Sequence, residues 1–252
     1  MGREGRVEAV EWRVLPRTVV LAHRGASRVA PENTLTAFSL AIALGADGIE
    51  FDVHATADGH LVVLHDETVD RTTNGSGAIA RLTLEQVRSL DAGSWFAPRF
   101  VGERIPLLEE VLELARGRVL VDIELKAPGI AVQVVEMVRK LRMEPSVVIS
   151  SFSPEAVSAV KEIAPEITVG LLALQGDPNE ALALGAQVFL PPVDALSRDL
   201  IQSCHRQGIS VVTWTALTEE DVREAIRLGV DGIIADDPVM ARRVLEEEEG
   251  SY

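Results

Sequence analysis

Eight short runs rich in β-branched residues, each followed by a stretch of helical periodicity, leave this chain few folds to adopt. The runs are TVVLA (18–22), GIEFDV (48–53), VLVDIEL (119–125), VVISS (147–151), TVGLL (168–172), VFLP (188–191), SVVTW (210–214) and GIIA (232–235). Apolar residues recur at three- and four-residue spacing over 34–44, 107–115, 130–141, 154–163, 179–184, 197–207, 219–228 and 239–247, as in helices with one buried face. Asn33, Ser197 and the pair Thr218 and Asp221 are helix-start signals. LGAD, LGAQ and LGVD place glycines 45, 185 and 229 where helices should end. Alternation along the whole chain implies a parallel sheet. Eight units predict an α/β fold of the closed (β/α)8 TIM-barrel type. A doubly wound sheet would show G-x-G-x-x-G after its first strand, and HRGASR has a single glycine.

One stretch breaks the rhythm. DVHATADGHLVVLHD (52–66) reads as a hairpin with Asp58-Gly59 at its tip. A two-residue turn sets Ala57 opposite His60 and, walking back, Asp52 opposite His65, which carries His65 over the barrel mouth. Residues 67–106 then form a small insertion subdomain that covers the mouth and has no core of its own. Residues 1–17 read as a lead segment, and 18–252 as a single barrel domain.

Composition narrows the partners. The net charge of −15 argues against nucleic acid or an anionic membrane. Cys204 is the single cysteine, so no intrachain disulfide forms, which suits a reducing compartment. No apolar run is long enough to span a bilayer, and the charged N-terminus lacks a signal-peptide core. The expectation is a cytoplasmic monomer or homodimer with no stable membrane association.

Polar residues at the strand ends point to chemistry. Glu50 and Asp52 share one face of their strand, while Ile49, Phe51 and Val53 take the other. Asp122, Glu124 and Lys126 repeat the pattern in the next unit. Active sites of such barrels form at the C-terminal ends of the strands. Glu50, Asp52 and Glu124 gathered there suit a hard divalent cation, Mg2+ or Ca2+, whereas zinc would want more histidine or cysteine. His23 ends the first strand and His65 the hairpin arm, which makes them an acid–base pair; the sequence leaves open which is which, with His23 as base and His65 as acid the preferred order. Arg24 and Lys126 can grip an anionic oxygen. Phe152 and Trp214 fall at strand ends as candidate pocket walls. Trp95, Phe96 and Phe100 either cap a substrate or pin the insertion. Glu32 either orients Arg24 or serves the metal. Asp236 and Asp237 are read as strand-end and helix-start residues without a catalytic role. His54, His60 and His205 are read as packed or surface histidines, His54 on the face away from Asp52.

The combination AHRGASRVAPENT, GIEFDVHATADGHLVVLHDETVDRTTNGSG, VDIELK, VVISSFS, VVTWT and GVDGIIADDP resembles the glycerophosphodiester phosphodiesterase family, in order and over nearly the whole chain. The resemblance implies a (β/α)8 barrel with an insertion after the HD segment. It also implies hydrolysis of glycerophosphodiesters to sn-glycerol 3-phosphate and an alcohol. Carried onto this sequence, Glu50, Asp52 and Glu124 would hold one divalent metal, His23 and His65 would move protons, Arg24 and Lys126 would hold the phosphate, and Trp214 would sit near the glycerol. The competing readings are a lysophospholipase D- or sphingomyelinase D-like phosphodiesterase and a non-catalytic barrel that binds a phosphoester.

Overall fold

The computed structural model describes residues 11, 12, 15, 18–175 and 178–250. Most of the predicted lead segment lies outside them. The strands are β1 (Val19–His23), β2 (Gly48–Ala55), β3 (Leu61–Val63), β4 (Leu120–Leu125), β5 (Val147–Ser151), β6 (Thr168–Leu172), β7 (Val188–Leu190), β8 (Ser210–Ala216) and β9 (Gly232–Ala235). All but β3 run parallel, in the order β1-β9-β8-β7-β6-β5-β4-β2, and β1 pairs with β2 to close the ring. The helices are α1 (Leu35–Ala43), α2 (Leu84–Ser89), α3 (Leu108–Ala115), α4 (Ala131–Leu141), α5 (Pro154–Ile163), α6 (Pro178–Ala183), α7 (Arg198–Arg206), α8 (Glu219–Leu228) and α9 (Pro238–Glu249). The chain is a (β/α)8 barrel, and each predicted strand and helix is present within a few residues of its expected ends.

Strand alternation divides the core. Val20, Ala22, Ile49, Phe51, Ile123 and Ile149 face outward into the layer shared with the helices. The helices meet them with one apolar stripe each; α3 buries Leu108, Val111, Leu112 and Ala115, and each buried leucine or valine side chain contributes about 1.5–3 kcal/mol. Val19, Leu21, Leu120, Val148, Val188 and Val212 point inward and fill the lower barrel. Trp12 joins that inner cluster, and its Nε1 donates to the Val121 carbonyl at 3.0 Å. Higher up, the same inward positions carry Glu50, Asp52, Asp122 and Glu124, so the apolar filling gives way to carboxylates at the C-terminal end.

Three expectations need correction. The first helix is capped by Thr34, whose hydroxyl accepts from the Ala37 amide, and not by Asn33. Asn33 takes a left-handed φ of 58° and sends its amide into the barrel mouth. The hairpin register is off by one. Thr56 N–H donates to the His60 carbonyl and Gly59 has φ 82°, so the loop holds three residues, 57–59. Asp52 therefore sits opposite Leu64, not His65. The insertion does have an apolar cluster of its own: Val62 and Leu64 of the returning arm pack with Val69, Ile79, Val87, Ala92 and Ile105. Alternation in the returning arm turns Val62 and Leu64 toward the insertion and Leu61 and Val63 toward the main core.

Candidate active site

Two adjacent strands bring the acids together. In the β2–β4 register Glu50 lies beside Asp122, and Asp52 beside Glu124. All four are buried. Oxygens of Glu50, Asp52 and Glu124 lie within 4.8 Å of one another. Burial, then the charges of Asp52, Asp122 and Glu124, push the Glu50 carboxyl well above its usual range. Burial and Asp52 likewise raise Glu124 to about 7, against the pull of Lys126. Burial raises Asp122 to about 7, although it accepts a 2.7 Å hydrogen bond from Ser150 Oγ. Burial opposes ionisation of Asp52 too, but Arg24 and Lys126 hold its carboxyl below the ordinary range. Asp52 Oδ1 is buried without a hydrogen bond, its near neighbour being Lys126 Nζ at 3.3 Å. An all-oxygen set with surplus negative charge and an unsatisfied carboxylate atom fits a hard divalent cation.

His23 and Arg24 reach this cluster by different means. His23 follows Val19 and Leu21 on the inward face of β1, beside Glu50 in register. Alternation would turn Arg24 outward. Instead Arg24 takes φ 56° and Gly25 φ 84°, a left-handed turn that swings the guanidinium back over the mouth. The Arg24 amide bonds the Glu50 carbonyl at 2.9 Å and its carboxylate at 3.1 Å. Its Nε lies 3.4 Å from Asp52 Oδ2, and its Nη1 donates to Glu32 Oε1 at 2.9 Å. Glu32 thus orients Arg24 and stands outside the three-acid cluster. Asp236, just past β9, contacts His23 Nδ1 through Oδ1 at 2.6 Å. A carboxylate only accepts, so Nδ1 carries the proton and Nε2 faces the site.

His65 is held in the same fashion. It lies in a bend beyond β3, so the bend and not strand alternation aims its ring. Nδ1 contacts Asp66 Oδ1 at 2.7 Å, and its backbone carbonyl is 3.1 Å from His54 Nε2. His54 is two residues beyond Asp52 and so shares its face; the expectation that it points away is wrong. It is buried and bonds the His65 backbone. Burial lowers the pKa of both His54 and His65.

The remaining residues close a small cavity of about 90 Å³ lined by His23, Arg24, Glu50, His65, Glu124 and Lys126 among others, with Phe152 and Trp214 on its wall. Lys126 Nζ pairs with Glu124 at 2.6 Å. The Phe152 and Trp214 rings meet edge to face at 5.5 Å, and Trp214 Nε1 donates to the Leu190 carbonyl. Trp95, Phe96 and Phe100 stack edge to face within the insertion and do not line the cavity. Cys204 is core, its thiol raised to about 11 by burial. His205 pairs with Asp231 outside the mouth. Sequence reasoning missed Asp236, Asp66 and Asn33. Asn33 Nδ2 donates to Asp52 Oδ2 at 3.0 Å. Asp66, next to His65, could have been read from its position; Asp236, 213 residues from its partner, could not.

A (β/α)8 barrel with clustered acids, two carboxylate-held imidazoles and two cations at the strand ends has the make-up of a phosphoester hydrolase. The sequence pattern of the Glycerophosphoryl diester phosphodiesterase family matches residues 23–240. A glycerophosphodiester phosphodiesterase of Caldanaerobacter subterraneus subsp. tengcongensis is 46% identical over 231 residues, covering 88% of this chain and 95% of that protein. The crystal structure of glycerophosphodiester phosphodiesterase from Agrobacterium tumefaciens is 36% identical, with a TM-score of 0.83 over 90% of this chain and 99% of that one. An Oleispira antarctica phosphodiesterase in complex with the product sn-glycerol-3-phosphate is 27% identical, with a TM-score of 0.84 over 91% and 97%. The chain belongs to the glycerophosphoryl diester phosphodiesterase family, and it is a hydrolase. Among the described residues no helix is long and apolar enough to cross a membrane.

Proposed function

We propose that this protein hydrolyses glycerophosphodiesters to sn-glycerol 3-phosphate and an alcohol with the help of one divalent cation, Mg2+ or Ca2+. The observation that carries the reading is the convergence of Glu50, Asp52 and Glu124, from two strands, between two imidazoles whose Nδ1 atoms are both held by carboxylates. The product seen in the Oleispira antarctica relative supports the same choice of substrate.

Glu50, Asp52 and Glu124 would hold the cation, which when bound supplies Lewis acidity toward the phosphate and an adjacent hydroxyl. Arg24 and Lys126 take phosphate oxygens; both already lie within 3.4 Å of Asp52, at the edge of the acid cluster. His23, its Nδ1 proton fixed on Asp236, accepts the proton of the attacking glycerol hydroxyl at Nε2. A new P–O bond forms as the bond to the alcohol breaks. His65 gives the departing oxygen a proton from Nε2, and Asp66 on Nδ1 stabilises the protonated ring. Water then opens the cyclic phosphate with the proton roles reversed. Phe152 and Trp214 provide an apolar wall for the carbon skeleton.

The test is phosphorus NMR of glycerophosphocholine incubated with the protein, with Mg2+ or Ca2+ and with EDTA. The expected signal is sn-glycerol 3-phosphate, abolished by EDTA and restored by excess cation. Release of phosphocholine, or a rate indifferent to chelation, would overturn the reading. Turnover of acyl-bearing lysophospholipid with none of glycerophosphocholine would favour the lysophospholipase D-like alternative.

A further inference from the structure

Arg71 lies in the insertion and does not line the mouth cavity. Its guanidinium nevertheless uses all three nitrogens on two carboxylates. Nε donates to Asp66 Oδ2 at 2.8 Å, and Nη2 to Asp66 Oδ1 at 3.0 Å. Nη1 donates to Glu32 Oε2 at 2.7 Å, and Nη2 also to Glu32 Oε1 at 2.8 Å.

Each carboxylate has a second duty. Glu32 Oε1 accepts from Arg24 Nη1 at 2.9 Å. Asp66 Oδ1 meets His65 Nδ1 at 2.7 Å. The sequence Arg24–Glu32–Arg71–Asp66–His65 is therefore one continuous run of charged hydrogen bonds, joining the two sides of the mouth through the insertion. A solvent-exposed ion pair ordinarily contributes little. Here, however, Glu32 is mostly buried, and a forked pairing fixes the plane as well as the place of each carboxylate.

We propose that Arg71 is a positioning residue for the hydrolysis, clamping Glu32 and Asp66 so that the Arg24 guanidinium and the His65 imidazole are aimed together at one phosphate. This rests on the phosphodiesterase reading of the mouth. Lysine cannot replace it, because a single ammonium cannot present two forks at once. The insertion, on this account, is part of the machinery and not a passive cover.

The test compares the full-length protein with Arg71→Lys and Arg71→Ala by hydrolysis of glycerophosphocholine with Mg2+, by calorimetric affinity for inorganic phosphate, and by thermal melting. Misaiming of this kind should lower kcat about tenfold or more in both variants and weaken phosphate about threefold or more, with guanidinium recovering at least about fivefold of the Arg71→Ala rate. Wild-type kcat and phosphate affinity in Arg71→Lys would overturn the proposal. So would a loss in folded Arg71→Ala that guanidinium does not reverse, since a merely structural role predicts that result. If Arg71→Ala does not fold, Arg71→Lys alone decides. If the unmodified protein does not hydrolyse the diester, the functional reading fails. Phosphate affinity in the variants still decides the Arg24 side of the clamp: a loss supports it and no change ends it.

Discussion

His23 and Asp236, joined at 2.6 Å, come from opposite ends of the chain and meet because β1 and β9 are neighbours in the ring. Burial works against ionisation of Asp236, but the hydrogen bond from His23 and the nearby charges hold its carboxyl below the usual range. Asp236→Asn should preserve the fold while replacing an acceptor-only carboxylate by an amide that can accept through Oδ1 or donate through Nδ2, so the His23 tautomer is no longer fixed. The expected fall in kcat is on the order of 10²-fold, within the 10²–10⁴-fold range of removing the imidazole itself in His23→Ala. Steady-state kinetics on both variants checks this; wild-type kcat in Asp236→Asn would remove Asp236 from the mechanism.

The acid cluster predicts a pH-dependent response to metal. The Glu124 pKa of about 7 lies above its ordinary 4.5, so the folded chain binds more protons than the unfolded one between those values. Stability contributed by this group is therefore present at low pH and lost as pH rises toward 7 and beyond. A cation held by Glu50, Asp52 and Glu124 would displace the proton and restore the loss. His54 and His65, with lowered pKa values, work in the opposite direction below their ordinary 6.5, so the comparison needs a control. Glu124→Gln should melt higher than the unmodified protein when both are metal-free at pH 8. The melting shift on adding Mg2+ should be large in the unmodified protein at pH 8, smaller at pH 5.5, and nearly absent in Glu124→Gln. Equal melting shifts at both pH values in the unmodified protein would contradict this account.

His54 holds the backbone of His65. His54→Phe keeps most of the buried volume and deletes that hydrogen bond, leaving the His65 carbonyl short of a partner. The expected cost is about 1–3 kcal/mol in stability, with a drop in kcat because the ring of His65 loses its support. Urea unfolding and kinetics on the same preparation measure both. A stability change without a kinetic one would show that the bend holds His65 unaided.

Gly25 makes the turn that swings Arg24 inward. At φ 84° a side chain is strained, and a Cβ there would lie 2.7 Å from the Ala37 backbone carbon. Gly25→Ala should cost several kcal/mol or fail to fold, more than the 1–3 kcal/mol ordinarily attached to a left-handed non-glycine residue. A melting temperature within a few degrees of the unmodified protein would show that the turn can relax.

Much of this is legible in the sequence alone. Strand alternation put Glu50, Asp52 and Glu124 on inward faces, and the periodicity placed the helices. The two-residue turn puts His65 at the mouth for a wrong reason: the hairpin loop holds one residue more, and a bend past β3 aims the ring instead. Asn33 reads as a helix cap by composition, yet the left-handed turn assigns the capping to Thr34 and frees Asn33 for Asp52. The Asp236 and Arg71 contacts depend on ring closure and on how the insertion seats, and short-range pattern carries neither.

The seam between β1 and β9 has a consequence for how the protein comes into being. The imidazole of residue 23 leaves the ribosome early, and the carboxylate that orients it follows only when the last strand does. A chain whose ring is still open carries the acids and the arginine without the contact that holds the His23 ring. That contact therefore forms only once the barrel shuts, so closing the ring and setting this imidazole are a single event.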